Sequence, residues 1–299
     1  MQSTYALITP ARNEEANIEL TIQSVISQTV QPERWVIVSD ASTDRTDEIV
    51  RRCAARHRLI QLIRVSEDDG PRSFARQVSA TNIGYEAIRA LDCQFVGVLD
   101  ADVSFEPGYY QRLLEEFRRN PRLGITGGTI LEDQGGYYAP RIWNDERCVA
   151  GAIQFFRRQC YEGIGGYIAL ECGGQDAIAL EMARMQGWEV TSFPELGVLH
   201  HRRSGTAETS AWRSQMRAGK AEYLLGYHPV FQALKCLRRV KEKPHGVASL
   251  LRFYGYWAAS VRRERSPVPR NVVQYMRRGQ MQRLRSVIYP NQESGSAAA

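Results

Sequence analysis

From the N-terminus to His201, short apolar runs alternate with stretches whose apolar positions recur every three or four residues. That alternation is the pattern of a largely parallel sheet covered by helices. Tyr5-Ala6-Leu7-Ile8-Thr9 predicts a first strand, which Pro10 ends. Ile18, Ile22, Val25 and Ile26 keep helical spacing, and Trp35-Val36-Ile37-Val38-Ser39 predicts a second strand that delivers Asp40 to a polar turn. Thr43 and Asp44 are suited to cap a helix carrying Ile49, Val50 and Cys53, and a third strand is expected over Leu59–Val65. The Glu67–Pro71 loop leads to a helix from about Phe74 to Leu91 and then to the strand Phe95–Leu99. Leu113, Leu114 and Phe117 mark a helix begun by Pro107-Gly108, and further strands are predicted at Leu123–Leu131, Ala150–Phe156 and Val190–Leu199. A helix is expected over Asp176–Gln186, and Glu132–Arg147, rich in Gly, Tyr and charge, reads as a surface loop. Beyond His201 the strand signals stop, and helices are expected at Ala207–Leu225, Val230–Arg239, Val247–Arg263 and Val272–Arg285.

At 299 residues, 43% hydrophobic and 24% charged, the chain has globular composition, which excludes a disordered or collagen-like polymer. Its charge-free stretches, such as Leu20–Pro32 and Tyr223–Leu234, fall short of the ~20 apolar residues of a membrane-spanning helix. Charge is divided unevenly about His201. Residues 1–201 hold 20 Lys and Arg against 28 Asp and Glu, whereas residues 202–299 hold 19 against 5. An acidic body carrying a basic C-terminal third points to a polyanionic partner: an anionic membrane surface, a phosphorylated lipid or nucleic acid. The six cysteines are scattered without a C-x-x-C pair, and the N-terminus shows no signal-peptide core, so reduced thiols and a cytoplasmic setting are expected. Residues 294–299 read as a flexible tail.

Three polar segments sit at the ends of their own predicted strands: Pro10-Ala11-Arg12-Asn13-Glu14, Asp40-Ala41-Ser42-Thr43-Asp44 and Asp100-Ala101-Asp102. The carboxyl ends of parallel strands are where open α/β sheets bind ligands. Two carboxylates one residue apart offer hard oxygen ligands for a divalent cation, although Asp-x-Asp also occurs in ordinary turns and helix caps. Asp176, preceded by Gly173-Gly174-Gln175, has the position of a helix cap. The tandem His200-His201 closes the last predicted strand, and alternation with Val198 favours His200 as the inward member.

Taken in order, these segments resemble the family-2 glycosyltransferases, inverting enzymes of the GT-A fold, over roughly residues 4–203. Asn82-Ile83-Gly84 stands where that family often carries Asn-x-Gly before the metal strand. The resemblance implies a mixed, mainly parallel α/β sheet over 1–203, a basic helical extension over 204–293, and the tail. It also implies that Pro10, Ala11, Arg12 and Glu14 line a nucleotide cleft, with Glu14 on the ribose side, and that Asp40 accepts from the base. Asp100 would lie near the ribose and the metal's waters, and Ala101 would belong to the same nucleotide site. Asp102, with His200 or His201, would hold Mn²⁺ or Mg²⁺. Arg72 and Arg76 are suited to phosphate or to solvent. Asp176 would be the base, and Gln175 departs from the family's acidic pair. The implied reaction moves a sugar from a UDP- or dTDP-sugar to a saccharide or lipid-linked acceptor, in cell-surface polysaccharide or glycolipid assembly.

The basic helices, with Phe253-Tyr254, Tyr256-Trp257 and paired arginines, fit either a peripheral site at the inner face of a membrane or packing against the body. Nucleic acid is not expected, because no nucleic-acid-binding signature accompanies the charge. Homo-oligomerisation stays open. The competing readings are a sugar-1-phosphate nucleotidyltransferase, which should show a Gly-rich basic loop after its first strand, and a non-catalytic nucleotide-sugar-binding scaffold.

Overall fold

The computed structural model describes residues 3–65, 73–140, 146–202, 211–241 and 246–288. Arg72, Trp143, Arg203 and the 294–299 tail lie outside the described residues. The chain divides into two compact units, Met1–Glu171 with Gln175–Ala207, and Cys172–Gly174 with Glu208–Ala299.

The first unit is built on strands β1 (Tyr5–Ala11), β2 (Arg34–Asp40), β3 (Ile60–Val65), β4 (Phe95–Leu99), β5 (Val103–Phe105), β6 (Leu123–Asp133), β7 (Tyr138–Pro140), β8 (Ile153–Arg157) and β9 (Glu189–His200). They form one mixed sheet in the order β3-β2-β1-β4-β8-β6-β9-β5, with β7 paired to β6. The β3-β2-β1-β4 half is parallel throughout. β8 enters antiparallel between β4 and β6, while β6 and β9 run parallel. Chain order reverses on either side of β1, so the carboxyl ends of β1, β2 and β4 open onto a crevice at a topological switch point.

Six helices, α1 (Ile18–Ile26), α2 (Thr46–Ala54), α3 (Phe74–Ile88), α4 (Tyr109–Arg119), α5 (Arg158–Gly163) and α6 (Gln175–Met185), accompany the sheet. The parallel strands are buried along nearly their whole length because helices cover both faces, which is why their sequences are continuous apolar runs. On one face Tyr5, Leu7, Trp35 and Ile37 pack with Ile18, Ile22, Leu113 and Phe117. On the other, Ala6, Ile8, Val36 and Val38 meet Ala80 and Ile88 of α3. Gly84 lets α3 close on the sheet: a Cβ there would stand 2.5 Å from Cγ2 of the fully buried Ile8.

Two expectations need correction. The segment after Glu132 is not wholly loop, because β7 pairs with the end of β6 across a turn in which Asp133 Oδ1 accepts from the N–H groups of Gly135 (2.9 Å) and Gly136 (2.8 Å). Both glycines have positive φ, which the turn requires. The second difference is the short strand β5, three residues after Asp100, which is too brief to leave a periodic signal.

The second unit holds α7 (Ala211–Leu224), α8 (Pro229–Arg238), α9 (Val247–Val261) and α10 (Arg270–Ile288). α7 and α9 approach until their backbones touch: a Cβ on Gly219 would strike the Arg252 carbonyl, and one on Gly255 the Met216 carbonyl. Between them lies a buried charge cluster. Glu222 accepts from Arg252 Nη2 (2.6 Å), Lys235 Nζ (2.6 Å) and Gln232 Nε2 (2.6 Å). Burial alone would raise the Glu222 carboxyl, but Lys235 and Arg252 outweigh it and hold the group below its ordinary value.

A carboxyl whose folded value is depressed adds stability that is present above the ordinary carboxylate range, about pH 4, and lost as pH falls through the folded value. Urea unfolding followed by circular dichroism should therefore show weakening of the helical unit on acidification. Glu222→Gln should flatten that dependence and cost about 3–5 kcal/mol at neutral pH, because two buried or half-buried cations lose their counter-charge.

Candidate active site

The site grows from two loops at the carboxyl edge of β1 and β2. They are stitched together by reciprocal hydrogen bonds between backbone and side chains. Asn13 Oδ1 accepts from Thr43 N (2.8 Å), Glu14 N donates to Thr46 Oγ1 (2.7 Å), Glu15 N to Asp44 Oδ2 (3.0 Å), and Arg45 N to Glu15 Oε2 (3.1 Å). Asn13 and Ala41 both have left-handed φ, 54° and 49°. Asn tolerates that region, whereas an alanine there stores about 1–2 kcal/mol of strain immediately after Asp40.

Asp40 ends β2 facing two arginines. Arg76 of α3 grips it with both arms, Nε to Oδ2 at 3.0 Å and Nη2 to Oδ1 at 2.5 Å, and Arg12 Nη1 lies 3.4 Å from Oδ2. Burial by itself would raise the Asp40 carboxyl, but the two guanidiniums, Arg76 first, outweigh it and keep the group below its ordinary value. Arg76, expected at phosphate or in solvent, thus spends its fork on Asp40. Pro10 and Ala11 sit opposite Val38 and Ser39 in the β1–β2 register, with Ala11 buried.

β4 delivers Asp100, Ala101 and Asp102. Asp100 N donates to the Ala152 carbonyl (2.9 Å) and its Oδ1 accepts from Gln77 Nε2 (3.1 Å). Ala101 is buried. β5 then pairs antiparallel with β9, setting Val103 opposite His200, while the β6–β9 register sets Glu132 opposite the same histidine. The imidazole is consequently flanked by two carboxylates, with Nε2 3.2 Å from Asp102 Oδ1 and Nδ1 3.7 Å from Glu132 Oε1. Ligand atoms of Asp100, Asp102 and His200 all lie within 4.8 Å of one another. His201 stands apart from that group: its Nε2 is 2.8 Å from Ser104 Oγ, and burial lowers its imidazole value, with Asp102 opposing only in part.

Arg202 ties the arrangement together. It is ion-paired to Glu14, whose carboxylate is 3% exposed, and its Nε lies 3.7 Å from Asp102 Oδ2. The Glu14 side chain is therefore held by an arginine two residues past the end of β9.

Asp176 lies in the first turn of α6, which follows Gly173 and Gly174, both with positive φ. Its carboxylate lies against Gly151, where a Cβ would come 2.9 Å from Oδ2. A buried network fixes this end of the helix: Tyr167 OH donates to Gln154 Oε1 (2.6 Å), and Gln154 Nε2 donates to the Val149 carbonyl (3.1 Å) and, at 3.4 Å, to the Asp176 carbonyl. Burial raises the Tyr167 phenol well above its ordinary value, and the charges of Tyr161, Asp176 and Asp100 add to that.

The structure brings together Asp100, Ala101, Asp102 and His200, and places Pro10, Ala11 and Asp40 at the carboxyl ends of β1 and β2 with Arg12 and Glu14 on the loop after β1. Arg72 lies outside the described residues. Sequence reasoning missed Gln77, Glu132, Gln154 and Tyr167. Only Gln154 left a signal, as a lone polar residue inside the apolar run Ile153-Gln154-Phe155-Phe156, where a buried amide must find partners.

Comparison with known proteins bears on this geometry. Residues 6–170 match the family model described as Glycosyl transferase family 2. The chain is 33% identical over 140 residues to the uncharacterized glycosyltransferase EpsJ of Bacillus subtilis (strain 168), covering 46% of this chain and 38% of that one. It is 27% identical over 142 residues to a poly-beta-1,6-N-acetyl-D-glucosamine synthase of Staphylococcus epidermidis, covering 48% and 29%. The matches thus span well under half the length of these relatives. Among solved structures, the mannosyltransferase PcManGT from Pyrobaculum calidifontis, in complex with GDP-Man and Mn²⁺, aligns with a TM-score of 0.56 at 18% identity, over 95% of this chain and 81% of that one. S. aureus TarS 1-349, in complex with UDP-GlcNAc, aligns with a TM-score of 0.55 at 13% identity, over 85% and 71%. At such identities the structures speak for the GT-A fold alone. With more than half of its length matched by the family model, and with that fold, the chain belongs to glycosyl transferase family 2.

Proposed function

We propose that this protein is a metal-dependent, inverting glycosyltransferase that moves a sugar from a UDP- or dTDP-sugar to a hydroxyl of a saccharide or lipid-linked acceptor. The observation that carries the reading is the meeting of Asp100, Asp102 and His200 donor atoms within 4.8 Å at the end of β4. Two carboxylates and an imidazole are a donor set that suits Mn²⁺ and, less closely, Mg²⁺. These three residues would hold the cation, whose chemistry is to neutralise charge on the diphosphate.

The protein's own groups supply the rest. Arg202, beside Asp102 and Glu14, is a fixed cation near the position a departing diphosphate would take. Asp40 keeps lone pairs for a base imide even while Arg76 and Arg12 hold it, and those arginines orient it for that contact. Asp176 takes the proton of the acceptor hydroxyl as that oxygen attacks the anomeric carbon, while the bond from that carbon to the diphosphate oxygen breaks and its electron pair leaves with the nucleotide. A single displacement inverts the anomeric centre and needs no nucleophilic Ser or Cys. The EpsJ and poly-N-acetylglucosamine synthase likeness supports a place in polysaccharide assembly. Family membership favours transfer over the nucleotidyltransferase and scaffold readings.

Titration of UDP, dTDP, GDP and CDP, with and without Mn²⁺, tests the donor site. One pyrimidine diphosphate is expected to bind selectively and to tighten with metal, and Asp102→Ala should abolish the tightening. Absence of nucleotide binding under every condition would overturn the reading. Asp176→Asn should leave that binding intact and slow transfer by about 10²–10⁴-fold, measured by sugar release. Gly151→Ala, whose Cβ meets the Asp176 carboxylate, should likewise preserve binding and slow transfer by about 10²-fold, because small misplacements of a catalytic group are costly.

A further inference from the structure

Two helices of the second unit carry large apolar side chains on their exposed faces. α8 buries Gln232 and Cys236 and turns Val230, Leu234 and Leu237 to solvent. α9 buries Ser249, Gly255, Tyr256 and Ala259, while Leu250 (68% exposed), Tyr254 (57%), Trp257 (45%) and Val261 (79%) face outward. Their spacing places those four on one stripe, opposite the face that packs on α7. The one formal charge within α9, Arg252, points inward to Glu222. A helix that is apolar on both faces is ordinarily buried, so the outward stripe calls for a covering partner.

Charge selects the partner. Residues 208–299 carry 17 Lys and Arg against 5 Asp and Glu, so pairing this surface with a second copy would set like charge against like charge. At the C-terminal end of the stripe, Arg262, Arg263 and Arg265 are all exposed. Arg263 adopts φ 52°, in the helix-terminating position that glycine usually takes, so a cation stands where backbone ease would prefer none. Outward Trp and Tyr with arginines at the margin suit the boundary between acyl chains and headgroups. α9 has 15 residues and is about 22 Å long, shorter than the ~30 Å hydrocarbon layer. No helix among the described residues is long and apolar enough to cross a membrane.

We infer that α9 is a membrane-docking helix that lies in the plane of an anionic phospholipid surface, with Leu250, Tyr254, Trp257 and Val261 immersed and Arg262, Arg263 and Arg265 on the headgroups. This inference is independent of the donor-site reading.

The full chain is mixed with phosphatidylcholine vesicles, with and without a third of phosphatidylglycerol, and binding is read by flotation at low and high salt. Binding is expected on the anionic vesicles, at least about tenfold stronger than on pure phosphatidylcholine and weakened by salt. The variant Leu250→Ser/Trp257→Ser/Val261→Ser should bind at least about tenfold more weakly with unchanged circular dichroism. Brominated acyl chains should quench the tryptophan fluorescence of the wild type, and Trp257→Phe should remove that quenching, a readout that does not depend on the triple variant folding. Failure to float with anionic vesicles, or quenching that survives Trp257→Phe, would overturn the assignment. So would a stable dimer in which Trp257 is shielded from aqueous quenchers.

Discussion

The candidate site depends above all on the double pairing of β9. Over twelve residues this strand runs parallel to β6 and then takes β5 on its other edge, so that one residue, His200, is in register with both Glu132 and Val103. A one-residue slip would turn His200 to the opposite face and remove the imidazole from Asp102. The register is pinned on both sides of the histidine. Val198 is buried in the core two residues earlier, and Arg202 reaches Glu14 two residues later. Gly128 permits the strand's close passage, because a Cβ there would strike the Leu196 carbonyl.

Charge follows from that placement. Asp40, Asp100, Asp102, Glu132 and Glu14 are carboxylates gathered at one edge of the sheet, and such a group is tolerable only if cations share the space. Arg12, Arg76 and Arg202 supply them, each fixed near the end of a strand or in the first turn of a helix. The site is therefore ordered before any ligand arrives, which keeps the reorganisation cost of binding low. The second unit repeats the logic in its own core, where Glu222 is held by Arg252, Lys235 and Gln232, but there the cluster joins helices.

Much of this was legible in the sequence, for identifiable reasons. β1, β2 and β4 are continuous apolar runs bounded by Pro10, Asp40 and Asp100, and burial on both faces writes that signature directly. His200 and His201 point to different surroundings, the first beside Asp102 and the second beside Ser104, as the period of two along a strand requires. What sequence could not show was pairing. β5 is three residues long, and the partners of His200 come from strands about 70 and 100 positions away. Arg76 could not be tied to Asp40, since an arginine's target depends on which helix face meets which strand end. The hairpin of β6 and β7 was hidden because its glycines and tyrosines are equally the composition of a loop.

The central claim is that His200, and not its neighbour, shares a cation with Asp100 and Asp102. Electron spin echo envelope modulation of Mn²⁺ bound to the protein with UDP measures this directly, because a ligating imidazole nitrogen modulates the echo. One imidazole coupling is expected, lost in His200→Gln and kept in His201→Gln. A coupling that survives His200→Gln, or that disappears only in His201→Gln, would contradict the account.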